Sequence, residues 1–272
     1  MRLAFSAACI LLITILMSVT WSLGARRATR GIMQAAFRIG AVAWGIRIRI
    51  RGRLAKARPL IVVSNHFSYL DLFALGSVMP LAFTPKSEIR SWPLLGFMCK
   101  VAGCLFIDRR ASKTLESKNR LQKALAAGDI ISLFPEGTTS DGSGLLPFKS
   151  ALFSLAEETS APVQPVSVVY TRLNGRPVTN ADLSVIGWYG DAYFFPHVLR
   201  YLRQKSVEAT LVFHAPVSAG QFASRKALAL YCRGVIEQGM KDGAHKKGAS
   251  GTSPEAQNQT MEGNSVMPQS KH

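Results

Sequence analysis

A histidine and an aspartate five residues apart, His66 and Asp71 in Asn65-His66-Phe67-Ser68-Tyr69-Leu70-Asp71, form the leading chemistry-bearing pair of this 272-residue chain. The apolar run Pro59-Leu-Ile-Val-Val-Ser64 before them reads as a buried strand, and Leu70 to Val78 after them as a helix. His66 then occupies the turn and Asp71 the first turn of the helix. A carboxylate so placed can take a proton from one ring nitrogen, leaving the other to accept a proton from a substrate. Taken alone, such a pair is more often a structural hydrogen bond than a catalytic one.

Three further segments lie at ends of predicted strands, where ligand sites of α/β proteins gather. In Gly103-Cys104-Leu105-Phe106-Ile107-Asp108-Arg109-Arg110, an apolar strand ends in charge. Arg109 can fork onto a phosphate or pair with Asp108. In Phe134-Pro135-Glu136-Gly137-Thr138-Thr139-Ser140, Gly137 permits close backbone approach and Glu136 can accept from a hydroxyl; a plain turn has the same composition. Ala161-Pro162-Val163-Gln164-Pro165-Val166 carries no reactive group and reads as a pocket wall.

In order and spacing the four segments resemble the blocks of the glycerolipid acyltransferase family, whose best-known members are 1-acylglycerol-3-phosphate acyltransferases. The match runs over roughly residues 55 to 175. The resemblance implies transfer of an acyl chain from acyl-CoA or acyl-carrier protein to the free hydroxyl of a lysolipid, with 1-acylglycerol-3-phosphate as first acceptor and phosphatidate as product. It makes His66 the general base and Asp71 its orienting partner, with Asn65, Arg109, Glu136, Gly137 and Thr138 at the acceptor site. Lys86 and Lys149 are added as cations beside the blocks. Backbone amides following Asn65 are candidate oxyanion donors. No bound cofactor and no metal are expected. The family commonly carries Arg where this chain has Thr139. That removes a phosphate contact and raises a second acceptor, lyso-ornithine lipid, whose head group is an amino acid. Trp188-Tyr189-Gly190-Asp191, followed by Phe195-Pro196-His197, resembles that bacterial subgroup. Asp191 there either meets a head-group amine or caps a turn.

Strand-like and helix-like stretches alternate from 59 to 240. Strands are expected at Leu81–Thr84, Cys104–Ile107, Ile130–Phe134, Val163–Val169, Leu183–Trp188 and Val207–Phe213. Helices are expected at 93–101, 112–127, 148–159 and 219–240, the last opened by a Ser218/Gln221 capping box. The fold class is α/β, a mixed, largely parallel sheet flanked by helices and preceded by N-terminal membrane helices.

Charge supplies the membrane part. Eleven basic residues and no acidic one precede Asp71, whereas 71–240 holds eighteen basic against thirteen acidic. Leu3 to Gly24 is uncharged and long enough, at helical rise, to cross a hydrocarbon core of about 30 Å. Arg26, Arg27 and Arg30 follow it, which places the remainder on the cytoplasmic side of the inner membrane. Residues 1–25 are thus expected to anchor, and 26–45 to form a basic amphipathic helix on the membrane surface or against the core. Residues 46–240 are the acyltransferase domain. It opens on the alternating Ile46-Arg47-Ile48-Arg49-Ile50-Arg51, and a polar 241–272 is read as a disordered tail.

Other classes fit less well. A serine hydrolase needs G-x-S-x-G, which is absent. A metal hydrolase on His66, His197 and His214 lacks ligand spacing. A non-enzymatic basic protein binding membrane or nucleic acid explains the charge but leaves His66, Asp71 and Glu136 idle. The expected partners are therefore membrane lipids, a lysolipid and the acyl donor, and not nucleic acid.

Overall fold

The computed structural model describes residues 15–20, 22–93, 95–108 and 111–245. Seven strands form one sheet: β1 (Ile46–Arg51), β2 (Leu60–Ser64), β3 (Leu81–Phe83), β4 (Ile130–Leu133), β5 (Val163–Leu173), β6 (Arg176–Pro177) and β7 (Val207–Phe213). The order is β1-β7-β5-β2-β4-β3, with β6 a short hairpin partner of β5. β5, β2, β4 and β3 run parallel, as do β1 and β7 to each other. The reversal falls between β5 and β7, which pair antiparallel. The mixed, largely parallel α/β sheet is the architecture the alternating pattern predicts.

Alternation within β2 explains the layers. Leu60 and Val62 face one core with Ala74, Leu75, Val166, Val168, Ala209 and Leu211. Ile61 and Val63 face the other with Leu121, Leu125, Leu133, Phe153, Leu228 and Ile236. A strand buried on both faces has to read as continuous Leu-Ile-Val-Val. Helices α1 (Arg26–Ala43) and α2 (Leu70–Val78) cover the first face. Helix α3 (Leu95–Val101) follows β3, and α4 (Ala111–Ala126), α5 (Ser154–Thr159) and later α8 (Arg225–His245) cover the second face; α6 (Leu183–Ile186) and α7 (Phe194–Leu202) flank the β5 end.

Helix α1 forms over the span expected for the basic amphipathic helix, and it packs on the domain. A Cβ on Gly76 of α2 would lie 2.4 Å from the Phe37 ring, so only glycine allows this approach. Arg38 Nε donates to Ser77 O at 2.7 Å, and Arg30, buried, donates to Ala102 O and Gly103 O. The anchor expected over 1–25 falls largely outside the described residues, as do 246–272 of the expected tail. Among the described residues no helix is long and apolar enough to cross a membrane.

Local expectations differ at five places. The helix expected over 148–159 opens as a 3-10 turn, Ser150–Phe153, and is α-helical only as α5, Ser154–Thr159. Leu183–Trp188, expected as a strand, begins as helix α6. Thr179 and Asp182 form a reciprocal cap that opens the turn leading into α6. Ser218 and Gln221 do form a capping box, yet it opens a three-residue 3-10 turn, and α8 starts only at Arg225. That helix runs to His245, past the boundary expected at 240. Cys104–Ile107 contributes only a bridge between Ile107 and Lys86 rather than a strand.

Candidate active site

Strand β2 ends at Ser64, and the chain turns through residues 65–69 into α2. Asn65 begins the turn. Its side-chain amide donates to Val168 O at 2.9 Å and accepts from Val168 N at 2.8 Å. Asn65 is 2 % exposed, so it fastens the turn to β5 and is sealed from ligand. His66 is held at both main-chain ends: its N–H donates to Glu136 Oε1 at 2.7 Å, and its carbonyl accepts from Ser140 N at 2.9 Å.

Sequence spacing placed His66 and Asp71 within reach, and they meet. His66 Nδ1 lies 2.8 Å from Asp71 Oδ2. The same oxygen accepts from the amides of Phe67 at 2.7 Å and Ser68 at 2.9 Å, and Oδ1 accepts from the Tyr170 hydroxyl at 2.6 Å. Asp71 has no exposed surface. A carboxylate buried without partners costs several kcal/mol, roughly, and four donors offset that cost. Because the carboxylate only accepts, Nδ1 carries the ring proton and Nε2 is left with its lone pair. Among the described residues nothing hydrogen-bonds Nε2. The His66 side chain is 20 % exposed, and its ring stacks on Phe134 with centroids 4.0 Å apart. The ring is therefore fixed in plane and open at one nitrogen.

The amides after Asn65, expected as oxyanion donors, are already engaged: that of His66 by Glu136, and those of Phe67 and Ser68 by Asp71. Their role is to hold the two carboxylates. Glu136, expected to meet a substrate hydroxyl, is 3 % exposed and gives its second oxygen to Leu146 N at 2.9 Å. It braces the His66 turn against the loop after β4, and burial raises its pKa above the ordinary glutamate value. Gly137 sits in the left-handed region at φ 71°, closing the turn in which its N–H meets Phe134 O. Thr138 is exposed and Thr139 half-buried. Lys149 is exposed, with its amide on Pro135 O; Lys86 is half-buried and bridged to Ile107. Arg109 lies outside the described residues. Glu136, Gly137, Thr138 and Lys149 thus share the loop against the His66 turn.

One residue of the site, Tyr170, escaped the sequence reading. Tyr170 stands 99 residues from Asp71 and reaches it only because β5 lies parallel beside β2 in the sheet; burial and the Asp71 charge push its pKa well up, so it stays a hydroxyl donor. The 187–195 segment caps the turn: Trp188 N donates to Phe67 O, and Phe67 packs near the rings of Tyr170 and Tyr189. A Cβ on Gly187 would lie 2.2 Å from the Phe67 ring. His197 is buried with its Nδ1 3.1 Å from the Tyr69 hydroxyl, and Asp191 is exposed at the tip of this segment. Among the described residues no group of His, Cys, Asp and Glu is placed to hold a metal.

The family model described as Acyltransferase matches residues 45–169. A lyso-ornithine lipid O-acyltransferase of Brucella abortus (strain 2308) is 38% identical over 200 residues, covering 71% of this chain and 75% of that protein. A 1-acyl-sn-glycerol-3-phosphate acyltransferase of Neisseria gonorrhoeae is 41% identical over 139 residues, 50% of this chain and 54% of that protein. The crystal structure of the 1-acyl-sn-glycerophosphate (LPA) acyltransferase PlsC from Thermotoga maritima superimposes with a TM-score of 0.60 over 89% of this chain and 97% of that one, at 21% identity. That likeness is one of fold.

Proposed function

The chain belongs to the acyltransferase family, and on that premise we propose that it transfers an acyl chain from a thioester donor to the free hydroxyl of a lysolipid, with His66 as general base and Asp71 as its orienting partner. The observation that carries this reading is the open Nε2 of a ring whose Nδ1–H is held by a buried carboxylate. Nε2 takes the hydroxyl proton as the oxygen attacks the thioester carbonyl. When the carbon–sulfur bond breaks, the imidazolium returns that proton to the departing thiolate. The thioester is already activated, so no covalent intermediate on the protein is needed. Such base assistance is worth about 10²–10⁴-fold. Tyr170 acts through Asp71 as a positioning residue.

Lyso-ornithine lipid is the favoured acceptor. Supporting it are Thr139 in place of the family's arginine, the long similarity to proteins named for that substrate, and an exposed Asp191 carboxylate able to meet an amine. The reading from sequence put 1-acylglycerol-3-phosphate first. The longer match, 71% of the chain against 50%, supports placing lyso-ornithine lipid first instead. Acylglycerol phosphate stays as the second reading because of the 41% identity to a protein named for it. The domain works at the cytoplasmic face of the inner membrane, held by the apolar residues 3–24, and the donor is acyl-CoA or acyl-carrier protein.

The purified full chain, given each acceptor with each donor, tests this. Faster acylation of lyso-ornithine lipid is expected, and Thr139→Arg is expected to shift use toward the phosphate-bearing acceptor. A strong wild-type preference for 1-acylglycerol-3-phosphate overturns the acceptor, and no acylation of either overturns the reaction.

A further inference from the structure

A second site lies at the opposite end of β4. Where Glu136 follows that strand, Asp129 precedes it, and there α1, α3 and α4 border a half-open cavity of about 480 Å³. Its wall holds six cations, Arg26, Arg30, Arg90, Lys100, Arg120 and Lys123, against one carboxylate, Asp129. That carboxylate is already spent on Arg30 at 3.1 Å. Arg26, Lys100 and Lys123 have no acidic partner among the described residues, and Arg90 lies over the Phe106 ring at 4.9 Å.

Two donors in this wall are buried and unanswered. Arg30 is 8 % exposed; its terminal nitrogens reach Ala102 O, Gly103 O and Asp129, but its Nε meets no acceptor. The Nε of Arg120 is likewise buried without a partner, although its other nitrogens reach Glu116 and Ser117. A buried N–H on a cation without an acceptor is costly, and the surplus charge around it selects an anion with several oxygens.

We propose that this cavity binds a phosphate group, carried by the head group of a membrane phospholipid. Its surroundings suit an amphiphile. Ala102, Leu105 and Phe106 give it an apolar side. Thr29 of the wall donates to Thr20 at 3.0 Å, tying the cavity to residues 15–20, where Ile15, Leu16 and Val19 are exposed. Acyl chains lie along those residues while the phosphate enters among the arginines. The site is separate from the His66 dyad and is independent of the acceptor assigned above.

Binding of short-chain dihexanoyl-phosphatidylglycerol, inorganic phosphate and CoA to the full chain, measured by calorimetry, tests the site. The lipid is expected to bind, and Arg120→Gln with Lys123→Gln to weaken it by about tenfold or more. Arg26→Gln, on a separate helix, is the second variant should the pair fail to fold. His66→Ala and the control pair Arg203→Gln with Lys205→Gln, exposed cations elsewhere, are expected to leave lipid binding unchanged. Equal lipid affinity in wild type and cavity variants, or equal loss in the control pair, overturns the proposal. CoA binding lost in the cavity variants while lipid binding persists reassigns the phosphate to the donor and overturns the lipid assignment.

Discussion

Strand β4 has charged chemistry at both ends, and the protein treats the two oppositely. At the carboxyl end, Asp71 and Glu136 are buried and every oxygen of each has a donor from this chain. The surplus there is one lone pair, on His66 Nε2. At the amino end, cations outnumber carboxylates, and two buried guanidinium N–H groups lack acceptors. A site that moves a proton needs its own charges neutralised so that one basic atom acts alone. A site that holds an anion keeps its charge in excess until the ligand supplies it.

Breaking the wiring at the catalytic end is expected to have the largest effect. Asp71→Asn offers one acceptor oxygen to the four donors now shared by two, and releases the ring tautomer. Turnover is expected to fall by about 10²–10⁴-fold with acceptor KM little changed. Steady-state kinetics on folded variant checks it, and unchanged kcat would separate Asp71 from the reaction.

Tyr170→Phe sharpens the comparison by removing one donor alone. Asp71 Oδ1 is left buried and unanswered, which costs about 1–3 kcal/mol. The expected signature is kcat reduced by about tenfold with acceptor KM little changed. A purely structural tyrosine lowers the melting temperature without lowering kcat of the folded variant.

How much of this arrangement can be read in the sequence follows from where each contact originates. His66 and Asp71 are local: a strand, a turn and one helical turn fix their separation, so spacing alone predicts the contact. The core faces of β2 are legible for the same reason. Tyr170 is not, since it looks like any strand residue until β5 is laid against β2. Arg30 and Arg120, ninety residues apart in sequence, are visible as charges, but only the packing of α1 against the β3–β4 edge makes one cavity of them. Leu183–Trp188 misleads because apolar β-branched residues suit a strand, while the deciding signal, the Thr179–Asp182 cap, lies just upstream.

Smaller effects follow from packing. Gly187→Ala pushes a methyl into the Phe67 ring and is expected to lower stability by about 1–3 kcal/mol, read by denaturant unfolding. Glu136 tests the amide brace by pH. Its pKa is raised by burial, so the stability linked to its protonation is full below the ordinary glutamate range and is lost as pH rises through the raised value. Glu136→Gln is expected to flatten that slope, measured as unfolding free energy from acid to neutral pH. An unchanged slope assigns it to another group.

The most direct test is turnover by His66→Ala beside wild type, on protein whose thermal transitions match, with lyso-ornithine lipid and acyl-CoA or acyl-carrier protein supplied. A loss of about 10²–10⁴-fold in kcat is the result expected if Nε2 is the base. Equal rates in the two proteins would contradict the account at its centre.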